Sequence, residues 1–337
     1  MPEKAGEVFE AMKKPETYDV HPKKIDVIQT HISWVFLTGE FVYKVKKPVN
    51  FGFLDFSTLE KRKQFCFREL EINRMFSPEI YIDVLPINRF GGSLKIGGLG
   101  MAEEYAIKMR QLPQERLMST LLEKNLVTRK HMDELIQILE RFYSKTKTFR
   151  DQGSPGDLDS VELNWKENFE QSEKYIGVLL EKPEFDAIKK KVSSFMKQNA
   201  ALFHHRKKNG FVKWCHGDLH SGNIFVTDSV HIFDAIEFND RFAISDIASD
   251  VAFMAMDLDF RGSKDLADYF VNRFIEKSGD MEIEKLLPFY MCYRAFVRGK
   301  VTGFKLDDPH VPAKEKEKAR EVAKRYFEFA YQYSKEI

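Results

Sequence analysis

Apolar and polar positions alternate over three short runs near the start of the chain: Ile25 to Thr30, Trp34 to Thr38 and Phe41 to Lys46. The last two are separated only by Gly39-Glu40. Period-two patterning rich in β-branched and aromatic residues, interrupted by a glycine turn, predicts a meander of antiparallel strands. The period then changes. Ser57-Thr58-Leu59-Glu60 has the form of a capping box and predicts a helix over 57–76. Tyr105 to Met109 reads as another strand, with Gln111-Leu112-Pro113 as its exit. From Thr128 onward, Met132, Leu135, Ile136, Leu139, Phe142 and Tyr143 recur at helical spacing and predict a long core helix. Arg150 to Ser160, with Gly153, Pro155 and Gly156, is a loop ahead of two helices expected at about Val161 to Leu180 and Pro183 to Phe203. Two more helices are expected, at about Glu282 to Phe304 and Pro312 to Glu336; in the second, Lys and Glu alternate above an apolar stripe. The fold class is α+β, with a strand-rich unit over 1–110 and a mainly helical unit over 111–337.

Two elements carry charge where apolar side chains are expected. Lys44 and Lys46 project from the same face of the third strand because side chains alternate. Glu69 lies on the apolar side of the 57–76 helix, four residues after Phe65 and three before Ile72. A carboxylate there is costly unless paired. Lys44, in the strand body, is favoured over Lys46 near its end, and Glu69 over Glu71, which points to the charged side with Arg68 and Arg74.

The stretch His216-Gly217-Asp218-Leu219-His220-Ser221-Gly222-Asn223 carries the most chemistry. Two β-prone runs follow, Ile224 to Thr227 and Val230 to Phe233, joined by Asp228-Ser229 and ending at Asp234. They predict a hairpin that returns Asp234 next to Asn223. Phosphoryl transfer from a magnesium-bound nucleotide needs these residue types: a carboxylate to accept or orient the proton of the attacking hydroxyl, and oxygen ligands for the metal. Asp218 suits the first role; Asn223 (neutral) and Asp234 (anionic) suit the second. His216 belongs to the loop by packing or hydrogen bonding beneath it rather than as a base. Cys215, His216, His220, His204 and His205 suggest a zinc site instead, but zinc sites more often show two tight ligand pairs, and no CxxC is present.

HGDLHSGNI followed by FDAIEF and by Asp250-Val251-Ala252 resembles the aminoglycoside phosphotransferase and choline kinase group, in particular its bacterial branch with KxKKPV and FLDFSTLE segments. The resemblance extends to Tyr43-Lys44-Val45-Lys46-Lys47-Pro48, the helix around Glu69 and Ala106-Ile107-Lys108-Met109-Arg110. It implies a two-lobed protein-kinase-like fold, an antiparallel-sheet N-lobe and a mainly helical C-lobe, with the nucleotide in the cleft between them. It further implies Mg2+ and ATP, GTP not being excluded; Lys44 on phosphate with Glu69 as its partner; and backbone groups near Met109 and Arg110 on the base. Asp250 would tether the catalytic loop. The turn Thr30-His31-Ile32-Ser33 falls at the phosphate-covering loop but lacks GxGxxG, so Thr30 and Ser33 either contact phosphate or close an ordinary hairpin. The segment from Ile236 to Ser245 is short for a protein-kinase activation loop, which favours a small-molecule hydroxyl acceptor. Glu237 is expected to touch metal or substrate, or to form a surface salt bridge. Arg294 and Arg298, four apart on one helix face, would receive an anionic acceptor or brace the lobe through Glu237, Asp240 or Asp246. A nucleotide-binding regulator without transfer activity and a protein kinase are the alternative readings; the complete catalytic set argues against the first, the short segment against the second.

Composition narrows this further. The 337 residues are 43% apolar and 13% aromatic, ample for a packed core. Lys plus Arg number 53 against 52 Asp plus Glu, so the overall charge argues for neither nucleic acid nor a membrane surface as partner. Three scattered cysteines suit a reducing compartment, and no apolar run reaches the ~20 residues that span a bilayer. A cytoplasmic location is expected; oligomeric state and acceptor identity have no signature in the sequence.

Overall fold

The structure is a computed structural model that describes residues 2–337; Met1 lies outside the described residues. The chain forms two compact units. One comprises the chain up to Leu117 together with His231–Asp240, the other Met118–Val230 with Arg241–Ile337.

The first unit is a six-stranded antiparallel sheet, order β1-β2-β3-β6-β4-β5. Its strands are β1 (Asp26–Gln29), β2 (Ser33–Leu37), β3 (Phe41–Lys46), β4 (Tyr81–Phe90), β5 (Ser93–Ile96) and β6 (Met101–Arg110), with helices α1 (Pro2–Met12) and α2 (Leu59–Phe76). Strand alternation divides its core in two. Tyr43 and Val45 of β3 join Val8 and Met12 of α1, Phe36, Ile87 and Ala106 on one face. Val42, Ile107 and Met109 join Cys66 and Leu70 of α2 on the other. Lys44 and Lys46 share parity with Val42, so β3 presents both ammonium groups to α2. The helix begins two residues later than the capping-box pattern suggests: Thr58 is its cap, accepting from Lys61 N–H, while Ser57 donates its N–H and hydroxyl to Asp55. The Asp55 carboxylate competes for Ser57 and removes it from the helix.

The second unit is mainly helical: α3 (Met118–Glu123), α4 (Arg129–Lys145), α5 (Leu158–Ser172), α6 (Lys182–Gln198), α7 (Ala200–Lys208), α9 (Ile247–Phe260), α10 (Lys264–Ser278), α11 (Ile283–Asp307) and α12 (Ala313–Ser334). Short strands β7 (Val212–Trp214) and β10 (Ile244–Asp246) pair antiparallel, and β8 (Ile224–Val226) and β9 (Val230–Ile232) form the hairpin that leads to Asp234. The four-residue helix α8 spans Asp240–Ala243. The expected 161–180 helix stops at Ser172, and the expected 183–203 helix divides at Asn199 into α6 and α7. Helix α9 is the axis of the unit: every residue except Asp259 is buried. Trp165 of α5 stacks on Phe169 at 5.1 Å and meets Phe296 of α11 edge-on at 5.6 Å. Arg206 of α7, fully buried, forks onto both Asp246, the α9 cap, and Asp280. These contacts fix the helix that carries the loop described next.

Candidate active site

In the second unit, residues 216–223 form a loop pinned from below by α9. Asp250, fully buried, accepts from His216 N–H at 2.7 Å, from Gly217 N–H at 3.0 Å and from the Tyr143 hydroxyl at 2.9 Å. Seven residues on, and so on the same helix face, Asp257 accepts from Ser221 N–H at 2.9 Å and from the Ser221 hydroxyl. Each end of the loop is thus held by one buried carboxylate. Gly217 has φ 79°, a left-handed conformation that costs glycine little and other residues more, and it turns the chain so that Asp218 follows. His216 is buried, with its Nδ1 accepting from Asp218 N–H at 3.2 Å.

Asp218 and Asn223 meet directly. Asn223 Nδ2 donates to Asp218 Oδ2 and to the Asp218 carbonyl, both at 3.0 Å. With its amide nitrogen spent on Asp218, Asn223 keeps its carbonyl oxygen for another partner, the neutral oxygen a hard cation accepts. The Asp218 side chain is 36% exposed. Burial opposes its ionisation, but the His220 ring and its contact with the carboxylate, then Arg298 and His216, outweigh this and hold it well below the usual carboxylate range. It is an anion at neutral pH.

In the first unit, five charged groups alternate in sign. Lys44 Nζ lies 2.6 Å from Asp234 Oδ1 and 2.8 Å from Glu69 Oε1. Lys46 Nζ lies 2.7 Å from Glu69 Oε2 and also pairs with Glu237. The choice of Lys44 over Lys46 was therefore not exclusive: one carboxylate takes both lysines, one on each oxygen. Lys44 differs in being the one that also reaches Asp234, whose side chain is 44% exposed, whereas Lys46 is 1% exposed. The segment bearing Asp234 is held by the C-terminal end of α2 and by the first residue of β4. Asp234 N–H donates to the Tyr81 hydroxyl at 3.0 Å, Ala235 N–H to Asn73 Oδ1 at 2.9 Å and Ile232 N–H to Ser77 Oγ at 3.0 Å. Glu69, Asn73 and Ser77 are four residues apart, forming one row along and just beyond α2.

Glu237 is no surface residue. It is buried against Lys46, so the surface salt-bridge expectation is corrected. Three carboxylates share two ammonium groups here. Burial raises the Glu237 carboxyl, Lys46 opposes this and Glu69 adds to it, and the result is about 7. Glu69, also penalised by burial but gripped by both lysines, is lowered to about 2. A carboxyl raised on folding stabilises fully below its unfolded value, near 4.5, and that contribution is lost as pH rises through about 7. Glu237→Gln, which cannot ionise, should remove this loss. Melting temperatures of the two proteins should diverge between pH 4.5 and 7, with the wild type falling relative to the variant; parallel curves would show that Glu237 titrates normally.

Other expected site residues play different parts. Thr30 Oγ1 accepts from Ser33 N–H at 2.9 Å and closes the β1–β2 turn, while the Ser33 hydroxyl is buried without a hydrogen-bond partner among the described residues. The Thr30 hydroxyl serves the hairpin, and only the backbone of Ser33 takes part in that turn. Met109 is buried in the core, and Arg110 N–H donates to Ile80 at the end of β6. Arg294 is buried and donates to the Gly217 carbonyl at 2.7 Å and to Ser249 Oγ at 3.1 Å, so it supports the loop from behind rather than facing an acceptor. Arg298 reaches toward His220, its Nη1 3.4 Å from His220 Nε2, and lies over the Tyr326 ring. The proposed bracing carboxylates are otherwise engaged, Glu237 with Lys46, Asp240 with Arg68 and Asp246 with Arg206. No group of three or more His, Cys, Asp or Glu among the described residues is arranged to hold a metal, so the histidine-rich stretch does not converge on a zinc site. The sequence reading weighed Lys46 only as the second choice to Lys44 and His220 only as a zinc ligand. It did not mark Asp257, which is one acidic residue of several in an apolar helix and carries no local signal.

Residues 111–286 match the model of the phosphotransferase enzyme family, APH. Uncharacterized proteins of Mycobacterium bovis and Mycobacterium tuberculosis are 33% identical over 290 residues, covering 85% of this chain and 57% of theirs. The chain thus spans a little over half the length of these relatives. Among solved structures, choline kinase of Cryptosporidium parvum is similar with a TM-score of 0.58 at 12% identity, covering 96% of this chain and 93% of that one. A choline/ethanolamine kinase family protein of Mesorhizobium loti gives 0.54 at 11% identity, covering 98% and 99%. At such identity the likeness establishes the fold: two-lobed, α+β and protein-kinase-like, with an antiparallel-sheet N-lobe and a largely helical C-lobe.

Proposed function

Because this chain belongs to the phosphotransferase enzyme family, we propose that it moves the γ-phosphoryl group of ATP to a hydroxyl of a small molecule, with Asp218 as the base. The observation that carries this reading is the Lys44 ammonium, held between Glu69 and the exposed carboxylate of Asp234. A lysine fixed by one carboxylate and touching a second, half-solvated one is placed to exchange that contact for phosphate oxygens. The residue types suit magnesium, a hard cation that takes oxygen ligands: Asp234 in the first unit offers a carboxylate and Asn223 in the second a carbonyl oxygen. Magnesium held by such ligands would offset the charge of the phosphate oxygens. Asp218 accepts the acceptor's proton on the carboxylate oxygen not engaged by Asn223. Lys44 binds and orients phosphate; Glu69 holds Lys44. Asp250 and Asp257 keep the loop in place so that Asp218 need not be ordered during the reaction.

The acceptor is proposed to be small because only nine residues separate Asp234 from Ile244, where β10 pairs with β7, leaving little chain to receive a peptide. The names of the two solved structures, choline kinase and a choline/ethanolamine kinase family protein, agree with an acceptor of this size. Among the described residues no helix is long and apolar enough to cross a membrane.

The test is thermal melting with magnesium and ATP, GTP or neither, beside Asp234→Asn. A ligand at a hundred times its dissociation constant adds about 2.7 kcal/mol to the folded state, a shift of a few degrees. A magnesium-dependent shift that is lost in the variant is expected. No shift with either nucleotide, from folded protein, would overturn the reading.

A further inference from the structure

Resting on Asp218 as the base, we propose that the acceptor is an anion and that Arg298 receives its carboxylate or phosphate group while its hydroxyl meets Asp218. The two side chains, both in the second unit, meet at one nitrogen. His220 Nε2 lies 3.3 Å from Asp218 Oδ2 and 3.4 Å from Arg298 Nη1. A small molecule with its hydroxyl on the base therefore reaches the guanidinium within a few bonds.

Arg298 is a cation whose counter-ion is missing. Arg206 forks onto Asp246 and Asp280, Arg62 pairs with Glu104, and Arg241 with Glu167. Arg294, one turn earlier on α11, is satisfied by the Gly217 carbonyl and Ser249 Oγ. Half-buried Arg298 has no carboxylate in ion-pair contact among the described residues. Its contact with His220 is long for a hydrogen bond, and its Nε is buried without a hydrogen-bond partner. The acidic groups whose charge it feels, Asp218 and Asp257, are engaged elsewhere, the first by Asn223 and the second by Ser221 and Arg261. The side chain is nonetheless fixed. Its guanidinium lies over the Tyr326 ring of α12 at 5.6 Å, and that ring is buried and stacked on Phe260 at 3.8 Å. An aromatic face holds a cation without neutralising it. A partly desolvated charge left unpaired is costly, and a guanidinium fork matches carboxylate or phosphate oxygens two at a time. Held in advance beside the base, Arg298 also offsets the repulsion that the Asp218 carboxylate would exert on an anionic acceptor.

The probes are inorganic phosphate and acetate, which carry the two anionic groups without a scaffold. Each is titrated against potassium chloride of equal ionic strength and read as the melting temperature of the protein. The wild type is expected to show a saturable rise, and the anion that binds tighter tells a phosphorylated acceptor from a carboxylic one. Arg298→Gln should weaken binding by about 10- to 100-fold, the scale of a hydrogen bond to a charged group, and Arg298→Lys, which keeps the charge but loses the fork, by less. Asp218→Asn should tighten it several-fold, because the neighbouring negative charge is gone; a site away from the base would not respond. Lys44→Met should leave it unchanged, which separates this site from the lysine placed for the nucleotide. Melting in chloride alone shows that each variant is folded, and if Arg298→Gln is not, Arg298→Lys and Asp218→Asn decide. No saturable rise in the wild type, binding kept by Arg298→Gln, binding lost in Lys44→Met, or no response to Asp218→Asn would each overturn the proposal. The phosphotransferase reading stands or falls separately, on the magnesium-dependent shift with ATP, since neither anion titration contains magnesium or nucleotide.

Discussion

Asp218→Asn should lower kcat by about 10²- to 10⁴-fold, the usual contribution of a positioned general base, while leaving nucleotide binding intact. The substitution is nearly isosteric. Its amide oxygen can still accept from Asn223 Nδ2, so the loop geometry, which depends on Asp250, Asp257 and Arg294, is not disturbed. What disappears is the anion. The wild-type carboxyl is held well below the usual range by His220, Arg298 and His216 against the cost of burial, so it is ionised at neutral pH. ADP release in the presence of MgATP and a hydroxyl acceptor measures the effect, and the MgATP-induced rise in melting temperature controls for binding. A variant with full turnover would mean that Asp218 neither takes nor orients the proton.

Lys46→Met should have the largest effect on stability, about 3–5 kcal/mol, the cost of removing one partner from a buried ion pair. Lys46 is 1% exposed and its ammonium lies between Glu69 and Glu237, both buried. Without it Glu69 keeps only Lys44, and Glu237, whose carboxyl is already raised to about 7, loses its partner beside Phe56, whose ring lies 4.8 Å from the lysine nitrogen. The remaining lysine, Lys44, cannot serve both, since it is shared with Asp234. Adding Glu237→Gln should restore most of the loss by removing the unpaired charge, a coupling that a double-mutant cycle measures directly. Chemical denaturation of the four proteins checks it; a single Lys46→Met variant as stable as the wild type would show the pair to be dispensable. Lys44→Met should behave differently, raising KM for ATP more than it lowers stability, because Lys44 is the lysine placed to meet phosphate.

Much of this protein was legible in its sequence because its signals are local. The period-two runs gave β2 and β3 nearly to the residue, and the helical stripe from Met132 to Tyr143 lies inside α4. Parity put Lys44 and Lys46 on one face, the cost of a carboxylate on the apolar side of α2 called for a partner for Glu69, and the family resemblance supplied the strand lysine as that partner. The HGDLHSGNI and FDAIEF segments resembled the right family. Boundaries failed where a side chain elsewhere competed, as Asp55 does for Ser57 at the start of α2. Strands β4 and β5 were missed as elements: Pro86 interrupts one, and the other is only four residues long.

The sequence alone therefore determined the chemistry available, the residue types along the catalytic loop and the faces on which charged groups stand, since these follow from composition and from the fixed periods of strand and helix. Only the tertiary structure decided how those groups share partners. That one carboxylate takes two lysines, that Glu237 is buried with a raised carboxyl, that Arg294 braces Gly217 instead of facing an acceptor, and that His220 turns Nε2 toward Asp218 all depend on contacts between residues far apart in the chain or on the exact turn of a loop. Burial sets the energy of a charge, and burial belongs to the folded chain rather than to any segment of it.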